Sequence, residues 1–401
     1  MENYLENLLE KIDKKIEAEC KRLGEQIPYR TTDGRYNLDY AEKDIYWWTN
    51  GFWAGILWKM YHATGKDIYR NGAEAVEKKL DKALYGFVGL HHDTGFMWLH
   101  SAVADYRLTG SSNSRVRGLM AANILAGRYN PKGGYLRAWN PDCVEEGQDC
   151  TGWIIVDSMM NIPLLYWASE ELKDPRFYYI AKNHADTVKR TLVREDGSCG
   201  HIACLNPDTG ELEKILAGQG YSDTSSWSRG QSWILYGFAL SYRYTKDPAY
   251  LDIAKKSAHY FISNIALTDH IPLCDFRQPE YPKYLDTSAG LCAACGLMEI
   301  AEHVSENEKQ MYLKHAEQIV KNTAENYCCW DPEKDSIVQQ CKIDYHSTKE
   351  LQTDLIYGDF FLIEAVLRLM GKDFLIWYTV FINRGSSDWG QLLLPLWFVP
   401  G

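Results

Sequence analysis

One carboxylate, Asp157, stands alone in an apolar stretch, because residues 150–169 contain no other charged side chain. Burying an unpaired carboxylate costs several kcal/mol or favours its protonated form. A carboxyl group that keeps its proton can act as a general acid near neutral pH. The alternative interpretation is an inward-facing Asp that caps a helix or accepts a hydrogen bond from a Trp N–H. Taken alone, Asp157 fits both interpretations.

The overall charge narrows the classes of partner. The chain has 401 residues and a formal net charge of −11. This balance argues against nucleic acid as the main partner, because nucleic-acid binding needs a basic face. An anionic small substrate stays compatible with it, since a few Arg or Lys side chains in a cleft can reverse the local field.

The cysteines and the apolar segments bear on the compartment. Cys292 and Cys295 form a C-x-x-C pair with no second pair or His at zinc spacing, so we predict that they pack in the core. The first residues are acidic and amphipathic, unlike a signal peptide. The longest apolar run, residues 374–383, is too short to span a membrane. We therefore expect a cytoplasmic protein.

A theme of two helices joined by a turn recurs along the chain, which predicts a repeat architecture. The copies begin near residues 55, 102, 164, 238, 297 and 360. Within each copy the apolar residues have helical spacing, and almost no segment alternates with period two. Asp174-Pro175 and Asp247-Pro248 predict helix starts, with Asp as the N-cap. The fold class is therefore all-α, with about six helical hairpins.

The ends of the chain argue for closure of these hairpins into a ring. An open solenoid would need polar capping repeats, yet the terminal copies are as apolar as the middle ones. We therefore predict a single domain over residues 1–401, with an N-terminal helix and lead-in over residues 1–40. Residues 374–401 form a tail to which the pattern assigns no structure.

The loops between the hairpins are rich in Gly, Trp, Tyr and single charges. They are residues 46–53, 91–98, 133–139 and 222–233, in a chain with 14 Trp and 27 Tyr. The apolar face of a pyranose stacks on Trp or Tyr while its hydroxyls take hydrogen bonds, so these loops favour a carbohydrate ligand. The alternative is that the aromatic side chains fill the centre of the ring.

Four segments of this sequence resemble the unsaturated glucuronyl hydrolases of glycoside hydrolase family 88. They are WWTNGFW at 47–53, HHDTGF at 91–96, GWIIVDSMMN at 152–161 and WSRGQ at 227–231. Each segment alone is weakly specific, but the match runs in order from about residue 40 to about residue 370. The resemblance implies an (α/α)6 barrel, which agrees with the hairpin pattern.

The resemblance also implies a reaction. Such enzymes act on oligosaccharides that a polysaccharide lyase has already cut, and these carry a 4,5-unsaturated uronic acid at the non-reducing end. The C4=C5 vinyl ether is protonated at C4 and takes up water at C5, and the resulting hemiketal opens and releases the remaining sugar. Asp157 is similar to the general acid and base of the family, and Asp93 to its second essential carboxylate. No metal or cofactor is implied.

The surroundings of Asp93 differ from those of Asp157. Asp93 lies beside His91, His92 and Thr94, so we expect it to be ionised, and two such carboxylates can divide an acid role from an electrostatic role. The alternative for Asp93 is an N-cap on the following helix. The two His residues have no acidic or His partner at i+4, which argues against a metal.

Further positions match the substrate contacts of the family. By resemblance, Trp47 and Trp139 are stacking walls, and Asn50 and His92 line the same opening. By resemblance, the polar contacts around the uronate are His201, Gln219 and Arg229. Trp233 follows Arg229 on the same helical face. Arg229 could bind the substrate carboxylate or, alternatively, anchor a neighbouring carboxylate such as Asp223.

One C-terminal segment bears on sulfation of the substrate. Some family members that prefer sulfated glycosaminoglycan fragments carry two Ser and a Lys near the C-terminus. Ser347 and Lys349 occupy two of these positions, and Asp344 stands where the first Ser is expected. The pair favours sulfated substrates, whereas the Asp344 charge would repel sulfate.

Two alternatives stay open at this point. A hydrolase of the same fold could act on unsaturated galacturonyl-rhamnose from pectin. A noncatalytic or epimerase-like sugar-binding protein could share the six hairpins, although an epimerase would use His or Lys bases at the centre of the ring. The His92-Asp93 pair and Ser347 with Lys349 favour glycosaminoglycan fragments of the chondroitin, hyaluronan or heparin type.

Overall fold

The computed structural model of the protein describes residues 2–347, 352–374 and 376–378, and these are mainly helical. The helices are α1 Glu2–Leu23, α2 Tyr40–Lys43, α3 Phe52–Thr64, α4 Asp67–Gly86, α5 Thr94–Trp98, α6 Ala104–Thr109, α7 Ser112–Ala126, α8 Pro163–Leu172, α9 Pro175–Thr191, α10 Ser228–Thr245, α11 Pro248–Ile265, α12 Thr287–Ala301, α13 Glu306–Asn326 and α14 Ile356–Leu369. A π-helical turn, Leu99–Val103, joins α5 to α6.

The helices form an inner and an outer layer. Helix α12 is buried along its whole length and α14 along all but its last two residues, as expected of helices that other helices surround. Helices α4, α9, α11 and α13 bury one face each. Around the inner layer α3 contacts the π-helical turn between α5 and α6, α5 contacts α8, and α8 contacts α10. Helix α10 contacts α12, α12 contacts α14, and α14 contacts α3. The ring is therefore closed, and the prediction of an all-α (α/α)6 barrel is confirmed.

The closure of the ring adds one feature that the repeat pattern did not show. Helix α1, which belongs to the predicted N-terminal helix and lead-in, packs against both α14 and α4. It thus takes the place of the outer helix of the sixth hairpin. A backbone hydrogen bond of 2.9 Å from Ile356 N to Tyr29 O ties the segment after α1 to the start of α14.

The turn chemistry predicted from the sequence is confirmed. Asp174 accepts a hydrogen bond from Arg176 N at the start of α9, and Asp247 accepts one from Ala249 N at the start of α11. Cys292 and Cys295 are fully buried in α12, which confirms their core packing. Across the described ranges, no helix is long and apolar enough to cross a membrane.

Within the described residues, five short strands interrupt the helical pattern, and they were not predicted. Strands β1 Tyr129–Asn130 and β2 Tyr135–Leu136 form a small hairpin. Strands β3 Trp153–Ile155, β4 Ile202–Leu205 and β5 Leu212–Leu216 form an antiparallel sheet in that order. Every residue of β3 and β4 is buried, so the two strands lack the alternation by which a half-buried strand is found in a sequence.

Candidate active site at one end of the barrel

The predicted site residues gather where the inner helices begin. Because each hairpin returns through an outer helix, the inner helices run in one direction, and their N-terminal ends share one end of the barrel. Asp93 immediately precedes α5, and Arg229 is the second residue of α10. The 3-10 turn Val156–Met160 carries Asp157 and leads into α8.

The small sheet places Asp157 beside His201. Strand β3 pairs with β4 through Ile155 and Ile202, and Val156 N donates a 3.0 Å hydrogen bond to His201 O. The Asp157 side chain, 15% exposed, then faces the imidazole, with 3.5 Å between His201 Nε2 and Asp157 Oδ2. Oδ2 accepts no hydrogen bond from any described residue. The alternative of a capping or Trp-bonded Asp157 is therefore not what the structure shows.

The other ring nitrogen of His201 contacts two backbone groups. Gln219 N donates a 2.9 Å hydrogen bond to His201 Nδ1, and Ala217 O lies 3.1 Å from the same nitrogen. These contacts fix the orientation of the ring. His201 Nε2 is consequently directed at Asp157 and has no hydrogen-bond partner among the described residues.

A second histidine fixes the turn of Asp157 from below. Leu136 N donates to His184 Nδ1 at 3.0 Å, and His184 Nε2 lies 2.6 Å from Ser158 Oγ, which in turn donates to Ile155 O. Burial lowers the pKa of His184 to about 3, so this ring is neutral and can accept at Nδ1 while donating at Nε2. The turn is held at both flanks of Asp157.

Asp93 is buried and surrounded by hydrogen-bond donors. His91 Nδ1 and His92 Nε2 each lie 3.3 Å from Asp93 Oδ2, and Asn161 Nδ2 donates to Oδ1 at 2.9 Å. Burial alone would raise the pKa of Asp93, but the interactions with His92 and His91 hold it below its ordinary value. Asp93 occupies the N-cap position of α5 without a side-chain capping bond, so capping is not its role. The geometry supports an ionised Asp93.

The same three residues are the one group in the described chain whose spacing could hold a metal ion. Donor atoms of His91, His92 and Asp93 all lie within 4.8 Å of one another. Spacing in the sequence hid this cluster, because the three donors come from consecutive residues of a loop. That the protein works without a metal stays a prediction.

The two expected stacking residues are both half-buried at this end. Trp47 packs edge-on against Tyr29, with ring centroids 5.3 Å apart, and Trp139 lies 6.2 Å from Trp153. Asn50, in contrast, is fully buried, and its Nδ2 donates to Asp44 O at 3.0 Å and Ile45 O at 3.1 Å. Only its Oδ1 is without a partner among the described residues, so Asn50 mainly braces the loop that carries Trp47.

Arg229 is committed to protein groups. It is 1% exposed, forms an ion pair with Asp286, and donates to Lys342 O at 2.6 Å and Ile343 O at 2.7 Å. A direct bond from Arg229 to the substrate carboxylate stays a prediction, while its described Nη1 and Nη2 bonds go to protein groups. Arg229 does anchor a carboxylate, as the alternative interpretation had it. That carboxylate is Asp286, which lies 57 positions away, and not Asp223.

Two other expected contacts have protein neighbours. Trp233 is fully buried, with ring centroids 5.4 Å from Phe96 and 5.6 Å from Phe361, and its Nε1 has no hydrogen-bond partner among the described residues. It does follow Arg229 by four positions on α10, as predicted. Gln219 is half-buried and donates through Nε2 to Ile343 O at 2.7 Å. That Trp233 and Gln219 contact the substrate stays a prediction.

The segment associated with sulfate is only partly described. Ser347 is half-buried, and its backbone N donates a 2.6 Å hydrogen bond to Asp344 Oδ1. Lys342 Nζ donates to Ser347 O at 2.8 Å. Asp344 therefore closes a turn beside Ser347, while Lys349 lies outside the described residues.

Several buried polar atoms near the described starts of the inner helices and strand β4 have no hydrogen-bond partner among the described residues. They are Trp47 Nε1, Asn50 Oδ1, His92 Nδ1, Asp157 Oδ2, His201 Nε2, Trp233 Nε1 and Tyr357 OH. A buried polar group without a partner costs about 1–3 kcal/mol, and most such groups are paired. A sugar supplies hydroxyl donors and acceptors that suit such atoms, although unpartnered buried atoms such as Trp58 Nε1 and Thr323 Oγ1 also occur elsewhere in the described chain.

Comparison with known proteins gives one consistent family. The model of glycosyl hydrolase family 88 matches residues 19–271. The unsaturated glucuronyl hydrolase of Bacillus sp. (strain GL1) is 35% identical over 87% of this chain and 92% of its own length. Its crystal structure, at 32% identity, covers 95% of this chain and 100% of that chain with a TM-score of 0.87.

Two streptococcal proteins extend the comparison. The unsaturated chondroitin disaccharide hydrolase of Streptococcus pneumoniae is 32% identical over 92% of both chains. A variant of the unsaturated glucuronyl hydrolase from Streptococcus agalactiae, solved in complex with dGlcA-GalNAc6S, is 28% identical, with a TM-score of 0.80 over 94% of each chain.

Proposed function

The chain belongs to glycosyl hydrolase family 88 and is a glycoside hydrolase, and we propose the reaction that its site performs. The enzyme releases the 4,5-unsaturated uronic acid from the non-reducing end of lyase-generated glycosaminoglycan oligosaccharides of the chondroitin, hyaluronan or heparin type. The relatives named above support this substrate class. They give no support to the pectin-fragment hydrolase or to the noncatalytic and epimerase-like alternatives.

The observation that carries the proposal is the difference between the surroundings of two carboxylates, Asp157 and Asp93. Asp157 is partly exposed and faces His201, whereas Asp93 is buried and held ionised by its histidine and amide neighbours. Two carboxylates in such different surroundings can act as a proton donor and as a fixed negative charge. The unsatisfied polar atoms around them supply contacts for a sugar ring.

The chemistry begins with the vinyl ether of the unsaturated uronate. Asp157 donates its proton to C4, and the positive charge that develops at C5 is shared with the ring oxygen. A fixed carboxylate stabilises such a charge strongly in a water-poor site, and we assign this role to Asp93. His201 Nε2 lies 3.5 Å from Asp157 Oδ2, so a proton on Nε2 stabilises the Asp157 carboxylate that is left behind.

Asp157 then acts as the base. Water adds to C5 and gives its second proton to Asp157, which restores the acid form of the enzyme. The C5 hemiketal opens, the ring oxygen leaves as the hydroxyl group at C1, and the resulting C1 hemiacetal expels the remaining sugar. Since C1 is never attacked, the carboxylate-separation rule for retaining and inverting glycosidases does not apply.

Substrate binding rests on the aromatic and polar rim. Trp47 and Trp139 offer half-buried ring faces for the apolar side of the pyranose. The free polar atoms of His92 and Trp233 lie at the same end, and bonds to the sugar would satisfy them. The positive ends of the inner-helix dipoles point towards this opening, which suits an anionic uronate.

We also propose that this barrel is one catalytic domain and that the enzyme is cytoplasmic. One hydrophobic core connects residues from α1, such as Leu5, to Trp377 near the end of the described chain. All 11 cysteines are unpaired, which suits a reducing compartment.

Substrate turnover tests the proposal. The conjugated double bond of the unsaturated uronate absorbs ultraviolet light and is lost on hydration. We expect the purified protein to remove this absorbance from unsaturated chondroitin and hyaluronan disaccharides, and to act poorly on unsaturated galacturonyl-rhamnose. Faster loss with the pectin fragment would reverse the assignment, and loss with none of the substrates would remove it.

A further inference from the structure

One amide side chain, Asn161, touches the segments of both proposed catalytic carboxylates. Asn161 is fully buried at the end of the turn Val156–Met160. Its Nδ2 donates to Asp93 Oδ1 at 2.9 Å and to the backbone oxygen of Asp157 at 3.1 Å. A single NH2 group therefore joins the loop of Asp93 to the turn of Asp157, across 68 positions of sequence.

The orientation of this amide is fixed by a group that can only donate. Phe96 N donates to Asn161 Oδ1 at 2.7 Å, so the amide oxygen must face Phe96 and the NH2 group must face Asp93. Gly95 packs so closely that a Cβ there would lie 2.4 Å from Asn161 Cα and 2.4 Å from Asn161 O. The start of α5 and Asn161 are consequently locked together.

The hydrogen bond from Asn161 affects the charge state of Asp93, because Asp93 is buried. Both histidine contacts of Asp93 go to Oδ2, and among the described residues Asn161 supplies the side-chain donor for Oδ1. A carboxylate that accepts such bonds is stabilised in its ionised form, and losing a donor raises its pKa. Asn161 thus bears on the charge of Asp93 as well as on its position.

We propose that Asn161 is a positioning residue that holds Asp93 ionised and sets its place relative to Asp157. This inference rests on the proposed function, since it assumes that Asp93 and Asp157 are the catalytic pair. Asn161 touches no reacting atom, and its effect passes through the two carboxylates. Truncation should lower kcat by about 10- to 100-fold, the range expected from one lost bond to a charged group, with little change in KM.

Two variants of Asn161 separate this role from a merely structural one. In Asn161→Ala, Asp93 lacks a donor and its pKa rises, so the activity relative to wild type should fall as the pH falls. In Asn161→Asp, the new carboxyl can share one proton with Asp93 at acid pH, but at higher pH two charges oppose each other. Its activity relative to wild type should therefore fall as the pH rises.

The experiment measures kcat and KM of both variants across the pH range, with thermal unfolding recorded for each. Asn130→Ala is the matched control, because its amide also bridges two loops, to Pro207 O at 2.9 Å, away from the carboxylates. It should keep the wild-type pH profile. Opposite pH trends of the two Asn161 variants support the proposal, whereas equal and pH-independent losses overturn it.

Failure of this inference can be told apart from failure of the proposed function. Asp157→Asn is assayed beside the Asn161 variants. If Asp157→Asn is inactive and both Asn161 variants keep wild-type kinetics, only the positioning role is wrong. If Asp157→Asn keeps full turnover, the assignment of the catalytic pair itself is wrong.

Discussion

His201 Nε2 lies 3.5 Å from Asp157 Oδ2, and the backbone N–H of Gln219 occupies the other ring nitrogen of His201. The ring therefore directs Nε2 at the carboxyl group that we assign as proton donor. This contact depends on the pairing of β3 with β4, which brings together two residues 44 positions apart. A helical barrel thus uses a small sheet to place its acid.

The ion pair of Arg229 with Asp286 should contribute to stability more than to substrate binding. Both side chains are buried, so Arg229→Met leaves an uncompensated carboxylate, which typically costs about 3–5 kcal/mol. We expect the free energy of unfolding in urea to fall by that order, and Arg229→Met combined with Asp286→Asn to recover part of the loss. A variant of unchanged stability with a greatly raised KM would instead indicate a direct contact with the uronate.

The buried acids between α1 and α14 should make the fold sensitive to alkaline pH. Burial raises the pKa of Asp359 to about 7, and burial with the nearby Asp359 charge holds the pKa of Glu19 well above its ordinary value. Groups with a raised folded-state pKa stabilise fully below their unfolded pKa, and this stability is lost as the pH rises through the folded pKa. The free energy of unfolding should therefore fall as the pH rises from about 4, the unfolded pKa of an Asp, to about 7, the folded pKa of Asp359.

Glu19→Gln tests this dependence with a near-isosteric change. Neither Glu19 oxygen has a hydrogen-bond partner within the described chain, and Lys15 and Arg22 only partly offset the charge. The variant should be more stable than wild type at alkaline pH and similar at acid pH, as measured by thermal unfolding. Glu10→Gln, at an exposed position of α1, is the control and should follow the wild-type curve. Parallel curves for all three proteins would refute the prediction.

Asp344 should reduce the use of sulfated substrates. Asp344→Asn keeps an acceptor for Ser347 N but removes the negative charge. We expect kcat/KM on a 6-sulfated chondroitin disaccharide to rise by about 3- to 10-fold relative to the unsulfated disaccharide, because a nearby like charge is removed. The gain should shrink at high salt. An equal change on both disaccharides would show that the charge does not face the sulfate.

Removal of metal ions should leave activity unchanged. Asp93 acts as an ionised carboxylate whose Oδ2 lies 3.3 Å from His91 Nδ1 and His92 Nε2, and this role needs no metal ion. Dialysis against a chelator should therefore preserve kcat, and added zinc should not raise it. Loss of activity that zinc restores would make the His91, His92 and Asp93 group a metal site.

Much of the fold could be predicted because local sequence patterns mark its helices and turns. Helical spacing of apolar residues located the hairpins, and Asp-Pro dipeptides located the starts of α9 and α11. The place of α1 in the ring could not be read this way, since its partner α14 is at the other end of the chain. The strands were missed because β3 and β4 are buried on both faces.

The candidate site could likewise be predicted only in part. Asp93, Asp157 and His201 were found from residue type and resemblance, and the structure brings them to one end of the barrel. The ion pair of Arg229 with Asp286 was not predicted, because Asp286 belongs to another hairpin and no local pattern links the two residues. Asn161 was overlooked as a contact of Asp93, although an amide in the same apolar stretch as Asp157 was a usable signal.

The turnover of Asp157→Asn on an unsaturated chondroitin disaccharide, followed by loss of the ultraviolet absorbance of its double bond, shows whether Asp157 is the general acid. The amide cannot donate the required proton, so we expect kcat to fall by at least about 100-fold while the variant still binds the disaccharide in calorimetry. Turnover within a few-fold of wild type, in a variant that folds and binds normally, would contradict the assignment of Asp157 as the general acid.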